Sequence, residues 1–223
     1  MKRRCLAVLP IAARRRVRGQ SLIEFVICIV VLGPLLLGLF QAILLYRAKA
    51  TLDYATLQAA RRGATNFAQI SAMCDGLAGG LTPLYTHQAT AGAVLASFYV
   101  AKADVCAGSA AQITIISPTQ AAFSDWKETQ YDGVSAIPND SLPYRGSKVG
   151  SRSGMTVQDA NVLKIAVTYK YPLIVPVIDR MVGTLDLVRS ATEGHTVYSL
   201  SIASQAIVRM QTPIRDPSTL PNS

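Results

Sequence analysis

An uncharged, apolar run of 22 residues, Phe25 to Tyr46, constrains this chain more than any other feature of its sequence. The run consists mainly of Leu, Ile and Val, and Gln41 is its only polar amide. About 20 apolar residues in a helix span the hydrocarbon core of a bilayer. The run therefore predicts a single transmembrane helix close to the N-terminus.

The charge of the chain indicates how this helix is oriented. The formal net charge is +9, but residues 1–19 hold seven Lys and Arg side chains and no acid, which leaves 15 basic against 13 acidic residues in the remainder. Basic residues accumulate on the cytoplasmic side of membrane helices. We therefore expect the N-terminus in the cytoplasm and everything after Tyr46 outside. Because most of the basic character lies in residues 1–19, we do not expect nucleic acid as a partner.

A secretory signal peptide is an alternative interpretation of the same region. Ala48-Lys49-Ala50 has the small-x-small form that ordinary signal peptidase cuts, and it follows the apolar run. The apolar core of such signals is about 7 to 15 residues long, shorter than the run found here. The earlier apolar stretch, residues 6–13, is too short to span a bilayer.

An ionisable residue, Glu24, stands at the head of the apolar run. A charge in hydrocarbon costs several kcal/mol, so such a residue usually has a partner there. One local explanation is a capping box, in which Ser21 and Glu24 satisfy each other's backbone N–H groups at a helix start. That explanation does not account for Gly19, which follows the basic stretch and precedes Glu24 by five positions.

The segment Gly19-Gln20-Ser21-Leu22-Ile23-Glu24 resembles the site that prepilin peptidases cut in type IV pilins and pseudopilins. The resemblance implies cleavage between Gly19 and Gln20, which would make Glu24 the fifth residue of the mature chain. In that family the glutamate meets the free N-terminal amine of a neighbouring subunit as the helices pack. Glu24 and the adjacent Phe25 are thus predicted to serve subunit packing and assembly.

Within this class the chain resembles the TadE-like proteins of the tight-adherence (Tad, Flp) pilus. The residues that carry this resemblance are Glu24-Phe25, Pro34 within the apolar run, and the stretch Ala59-Ala60-Arg61-Arg62-Gly63-Ala64. It implies a pseudopilin or minor pilin of the bacterial inner membrane, with a periplasmic C-terminal domain and later presence in the pilus. The implied partners are the prepilin peptidase, other Tad pilins and pseudopilins, and the inner-membrane assembly platform.

Related systems remain alternatives. Minor pilins of type IVa pili and pseudopilins of type II secretion share such a leader, although they usually have Phe or Met where this chain has Gln20. A third interpretation is a membrane-anchored, exported binding domain that keeps its leader. The residues do not distinguish a TadE from a TadF type.

The pattern after the membrane run predicts an α+β, pilin-like fold. We expect the transmembrane and stem helix to cover residues 20–72, with Ala60, Ala64, Ala68 and Ala72 forming a small-residue face. Gly76, Gly79, Gly80 and Pro83 indicate a break, and residues 84–101 a second helix. Alternation over residues 163–171 and 198–202, and more weakly 112–117, predicts strands of a small antiparallel sheet against the long helix.

The division of the chain follows from these patterns. Residues 1–19 are a cleaved leader, and residues 73–223 are an exported globular domain with a frayed tail from Pro213. Of the four cysteines, Cys74 and Cys106 lie in this exported part, where a disulfide would contribute about 3 to 4 kcal/mol.

The sequence contains no recognisable catalytic motif. Neither His87 nor His195 has a partner at metal-ligand spacing, and no phosphate-binding glycine motif is present. We therefore expect no enzyme activity, no metal and no cofactor.

Overall fold

The computed structural model describes residues 20–222, with side chains from Ser21 onward. The leader, residues 1–19, and the predicted cleavage residue Gly19 thus lie outside the described residues. In chain order the helices are α1 (Gln20–Thr65), α2 (Ile70–Tyr85), α3 (Ala91–Lys102), α4 (Gln120–Trp126), α5 (Val157–Ala160), α6 (Ile178–Val182) and α7 (Leu187–Glu193). The strands are β1 (Ala111–Ser117), β2 (Glu128–Thr129), β3 (Ser135–Ala136), β4 (Val162–Pro172), β5 (Thr184–Leu185) and β6 (Tyr198–Arg209).

The predicted α+β architecture is confirmed. Helix α1 has 46 residues, passes without interruption through Pro34, and packs with its C-terminal half on an antiparallel sheet. The strand order in this sheet is β1-β4-β6-β5 among the described residues. Leu163, Ile165, Val167, Tyr169 and Tyr171 alternate along β4 and are all buried in the core, as a strand with one covered face requires.

The long helix ends earlier than its composition predicts. We expected it to continue to about Ala72, but α1 stops at Thr65, and Phe67 and Ala68 have φ angles of 55° and 61°. The amide of Ala68 donates to Gly63 O at 2.9 Å, which closes a left-handed helix terminus. Thr212 Oγ1 accepts the Phe67 amide at 2.9 Å, so the C-terminal segment stabilises a turn that no local residue pattern marks.

The glycines after the stem lie within a helix, and the predicted break at these residues is wrong. Gly76, Gly79, Gly80 and Pro83 all belong to α2, which continues to Tyr85 and is followed by α3 from Ala91. A Cβ atom added at Gly80 would lie 2.4 Å from the Cα atom of Ala55 on α1. The absence of a side chain lets the two helix backbones come into contact, which compensates for the poor helix propensity of glycine.

The C-terminal tail is docked, contrary to the expectation that it is frayed. Ile214 is fully buried and Leu220 is 3% exposed. The Ile137 amide donates to Ile214 O at 3.0 Å, and the Gln120 amide donates to Pro221 O at 3.0 Å. These two buried apolar side chains and the backbone hydrogen bonds thus offset the entropy cost of ordering the tail.

Strand β6 runs alongside α1 in the same direction. Lys49 Nζ donates to Ala203 O at 2.8 Å, and further along the Gln211 amide donates to Ala64 O at 3.0 Å. Because β4 is antiparallel to β6, it ends at the end of the domain that is nearer to the N-terminal half of α1. Residues 173–197, which connect β4 to β6 and contain α6, β5 and α7, lie at the end of the domain that faces the apolar half of α1.

Candidate membrane and assembly segment

The N-terminal half of α1 projects an apolar surface away from the domain. Phe25, Val30 and Leu36 are 64%, 64% and 61% exposed. An 18-residue window of this helix has a mean hydropathy of 2.7, and none of that window is buried. At 1.5 Å per residue, the run from Phe25 to Tyr46 is about 33 Å long, enough for a hydrocarbon core of about 30 Å. Within the described chain, α1 is the one helix long and apolar enough to cross a membrane.

The same helix becomes part of the domain core after this run. Ala48, Leu52, Ala55 and Ala59 are fully buried against α2 and the sheet. Ala60, Ala64 and Ala68 of the predicted small-residue face are buried as well, whereas Ala72 lies in α2 and is partly exposed. Alanine side chains are short, so neighbouring elements can approach the helix closely. The buried part of this face packs within its own domain, and the apolar half of α1 lies outside the domain core.

The polar amide inside the apolar run has a specific contact. Gln41 is 2% exposed, and its Oε1 accepts the backbone amide of Val175 at 3.1 Å. The connection between β4 and β6 thus reaches the membrane segment itself. Sequence patterns singled out Gln41 but gave no indication of this partner, because Val175 is 134 positions away.

The predicted assembly residues lie at the exposed start of α1. Glu24 is exposed and sits within the helix just before Phe25. Ser21 is also helical, whereas a capping box would place it before the first helical residue. Glu24 is therefore a carboxylate carried on the side of an apolar helix, next to the position where cleavage after Gly19 is predicted.

A polar cluster that sequence patterns did not reveal joins four elements of the domain. Tyr85 Oη donates to Asp104 Oδ2 at 2.6 Å and lies 3.0 Å from Tyr169 Oη. Arg189 forms an ion pair with the same Asp104 carboxylate. The four residues come from α2, the π-helical turn at residues 103–107, β4 and α7, so only the tertiary structure brings them together.

Burial dominates the ionisation of this cluster. It raises the pKa of Tyr169 and that of Tyr85 above the ordinary phenol value, which keeps both hydroxyls neutral and able to donate. Burial opposes the positive charge of Arg189, but the Asp104 carboxylate and the two tyrosines together outweigh burial, and the pKa of Arg189 is raised. The cluster is mutually hydrogen-bonded and holds α2, β4 and α7 together.

A cavity of about 810 Å³ adjoins this cluster, with Leu44, Arg47 and His87 in its lining. The part of the chain that the structure describes contains no group of three or more His, Cys, Asp or Glu residues able to hold a metal.

Cys74 and Cys106 form a disulfide with their Cα atoms 5.8 Å apart. It links α2 to the π-helical turn that carries Asp104.

Comparison with known proteins identifies the N-terminal segment. A family model of TadE-like proteins matches residues 19–61, the apolar half of α1 together with most of the stem. No curated protein and no solved structure matches the chain. This chain therefore contains a TadE-like segment, residues 19–61.

Proposed function

We propose that this chain is a pseudopilin, or minor pilin, of a Tad (Flp) type IV pilus, and that it supports pilus assembly and thereby adherence and biofilm formation. The observation that carries the proposal is the TadE-like match over residues 19–61, which joins Gly19, Glu24 and an exposed apolar helix in one segment. The role is structural, without catalysis or a cofactor.

Maturation creates a cation with which Glu24 of a neighbouring subunit can pair. A prepilin peptidase cuts between Gly19 and Gln20 on the cytoplasmic side, and Glu24 becomes the fifth residue of the new chain. A carboxylate in an apolar environment is stabilised by a cation, and the new amine of Gln20 on a neighbouring subunit supplies one. The uncut precursor lacks this amine, so cleavage couples processing to assembly.

The exposed apolar surface of α1 provides the packing partner for other subunits. In the bacterial inner membrane, with the domain in the periplasm, lipid covers side chains such as Phe25 and Val30. On assembly, helices of other Tad pilins and pseudopilins replace that lipid at the inner-membrane assembly platform. Association in lipid depends on close packing and on polar pairs, which Phe25 and Glu24 supply respectively.

The N-terminus of the mature protein tests the processing step. N-terminal sequencing of the chain expressed with its own pilus system is expected to begin at Gln20. Gly19→Ala should leave the precursor uncut, whereas Gly33→Ala should be processed normally because an added Cβ there meets no atom within 4 Å. A mature chain that starts at any other residue, or that retains the leader, contradicts the proposal.

The role of Glu24 is separable from processing. Glu24→Gln removes the charge and keeps the shape, so the variant should be cut and folded but recovered in sheared pilus preparations at a much lower level. Glu24→Asp keeps the charge and should restore part of that recovery. Equal incorporation of wild-type and Glu24→Gln chains into pili would contradict the proposed ion pair. It would not contradict the proposed cleavage after Gly19.

A further inference from the structure

The connection between β4 and β6 contacts α1 at the depth of the apolar run. Val175 bonds to Gln41, and an added Cβ at Gly38 would lie 4.0 Å from Ile178 Cδ1. Gln41 and Gly38 precede Arg47, the first charged residue after the run, by six and nine positions. At 1.5 Å per residue, these contacts lie about 9 and 14 Å along the helix axis into the apolar segment.

The outer face of this connection is apolar. We define the α6–α7 surface by the large apolar side chains of residues 174–188 that are 50% to 73% exposed: Ile174, Val177, Met181, Val182, Leu185, Leu187 and Val188. Soluble surfaces seldom expose a contiguous set of this kind. Of the two acidic side chains in this stretch, Asp179 is partly buried, and Asp186 is buried and accepts the Arg189 amide at 3.2 Å. Arg180 is the exposed charged residue of the stretch.

We propose that the α6–α7 surface is a second membrane contact, inserted into the outer boundary of the bilayer beside α1. Its partner is the lipid itself, because the surface is continuous with the helix it packs on and lies level with residues that hydrocarbon surrounds. Amphipathic segments bury their apolar side chains about 5 to 10 Å into this boundary. The inference rests on α1 spanning the membrane, but it requires neither pilus membership nor processing.

The consequence is a domain with a defined height and orientation on the membrane. A single helix leaves a domain free to rotate about the helix axis and to tilt. A second contact from α6 and α7 removes this freedom, because both helices are attached to the sheet. The cavity lined by Leu44 and Arg47 then opens at the membrane surface.

Site-specific fluorescence in vesicles tests this contact. The full chain with Cys5→Ser is labelled at Cys28 with an environment-sensitive fluorophore and reconstituted in vesicles of phosphatidylethanolamine and phosphatidylglycerol. With Cys28→Ser added, single cysteines are placed at Met181 or Leu187. Matched control cysteines replace Tyr131 or Tyr144, which are 99% and 92% exposed and belong to the end of the domain remote from the apolar half of α1.

Labels at residues 181 and 187 are expected to shift to shorter emission wavelengths and to lose intensity when the lipids carry nitroxides, and the label at Cys28 is expected to do the same. Labels at residues 131 and 144 should instead be quenched by aqueous iodide. If the labels at 181 and 187 behave as those at 131 and 144 while Cys28 is quenched from the lipid, α1 spans the membrane and the inferred contact is wrong. If they are protected from both quenchers, another copy of the chain covers this surface and the lipid assignment is overturned. If the label at Cys28 is not quenched from the lipid, α1 does not span the membrane and the inference is wrong.

Discussion

Replacement of Gly80 by alanine should destabilise the domain, although alanine is the better helix former. Gly80 lies within α2, where an added Cβ would stand 2.4 Å from the Ala55 Cα atom and 2.6 Å from the Ala55 Cβ atom. Carbon atoms in optimal contact are about 3.5 to 4.0 Å apart, so α1 and α2 must separate by about 1 Å. Because the nearest atom belongs to the main chain, no side-chain rotation relieves this contact.

The size of the effect follows from two opposing contributions. Replacing glycine by alanine inside a helix stabilises it by about 1 kcal/mol. Overpacking a core costs about 1 to 3 kcal/mol, and the upper part of that range applies where backbones must move apart. We therefore expect the free energy of unfolding to fall by about 2 kcal/mol for Gly80→Ala.

The adjacent glycine is a matched control. Gly79 belongs to the same helix but is exposed, and the nearest atom to an added Cβ is Phe98 Cε2 at 3.9 Å, an ordinary contact. Gly79→Ala should therefore raise the free energy of unfolding by up to about 1 kcal/mol. The two variants differ by one position in the chain and are expected to change stability in opposite directions.

Urea unfolding of the full chain in detergent, followed by the fluorescence of Trp126, measures both variants. Trp126 is the single tryptophan, and its Nε1 donates to Met155 O at 3.1 Å, so its emission reports the folded domain. The reasoning is refuted if Gly80→Ala is as stable as Gly79→Ala or more stable. That result would mean that α1 and α2 are not in backbone contact at this position.

Two further predictions concern covalent and ionic stabilisation of the domain. Reduction of the oxidised protein should add the mass of two hydrogens, and Cys74→Ser with Cys106→Ser should lower the free energy of unfolding by about 3 to 4 kcal/mol; two free thiols in the exported protein would contradict this. Burial raises the pKa values of Tyr85 and Tyr169, so the folded protein holds their protons more tightly than the unfolded chain does. Their contribution to the free energy of unfolding should therefore be fully present below the ordinary phenol pKa of 10.0 and decrease as the pH rises above it. Tyr85→Phe should flatten the alkaline limb of stability against pH, whereas Tyr131→Phe, which replaces an exposed phenol, should leave that limb unchanged.

Much of the fold could be predicted because it depends on short-range patterns. The alternation in residues 163–171 predicted β4, which extends one residue further at each end, and residues 198–202 predicted the first part of β6. Its continuation to Arg209 was missed, because Ser204 and Ala206 are buried on the same face as Leu200 and Ile202 but are not large apolar residues. Periodicity detects a covered face only where that face carries recognisable side chains.

The errors have a common physical origin in contacts distant in the sequence. Gly76 and Gly80 suggested a break because glycine is intrinsically a poor helix former, yet contact with α1 requires it there. The composition of the tail predicted fraying, but Ile214 inserts into the core beside Ile137. The α1 terminus at Thr65 depends likewise on Thr212, which is 145 positions from the amide it accepts.

The candidate site divides in the same way. The sequence by itself determined the membrane helix, its expected orientation and the Gly19 to Glu24 spacing, because partition into lipid and recognition of a cleavage segment depend on consecutive residues. Only the tertiary structure decided that Gln41 accepts the Val175 amide, that Asp104 pairs with Arg189, and that α6 lies beside the apolar run. Those features are pairings between segments, and their free energies arise only when folding removes both partners from water at the same place.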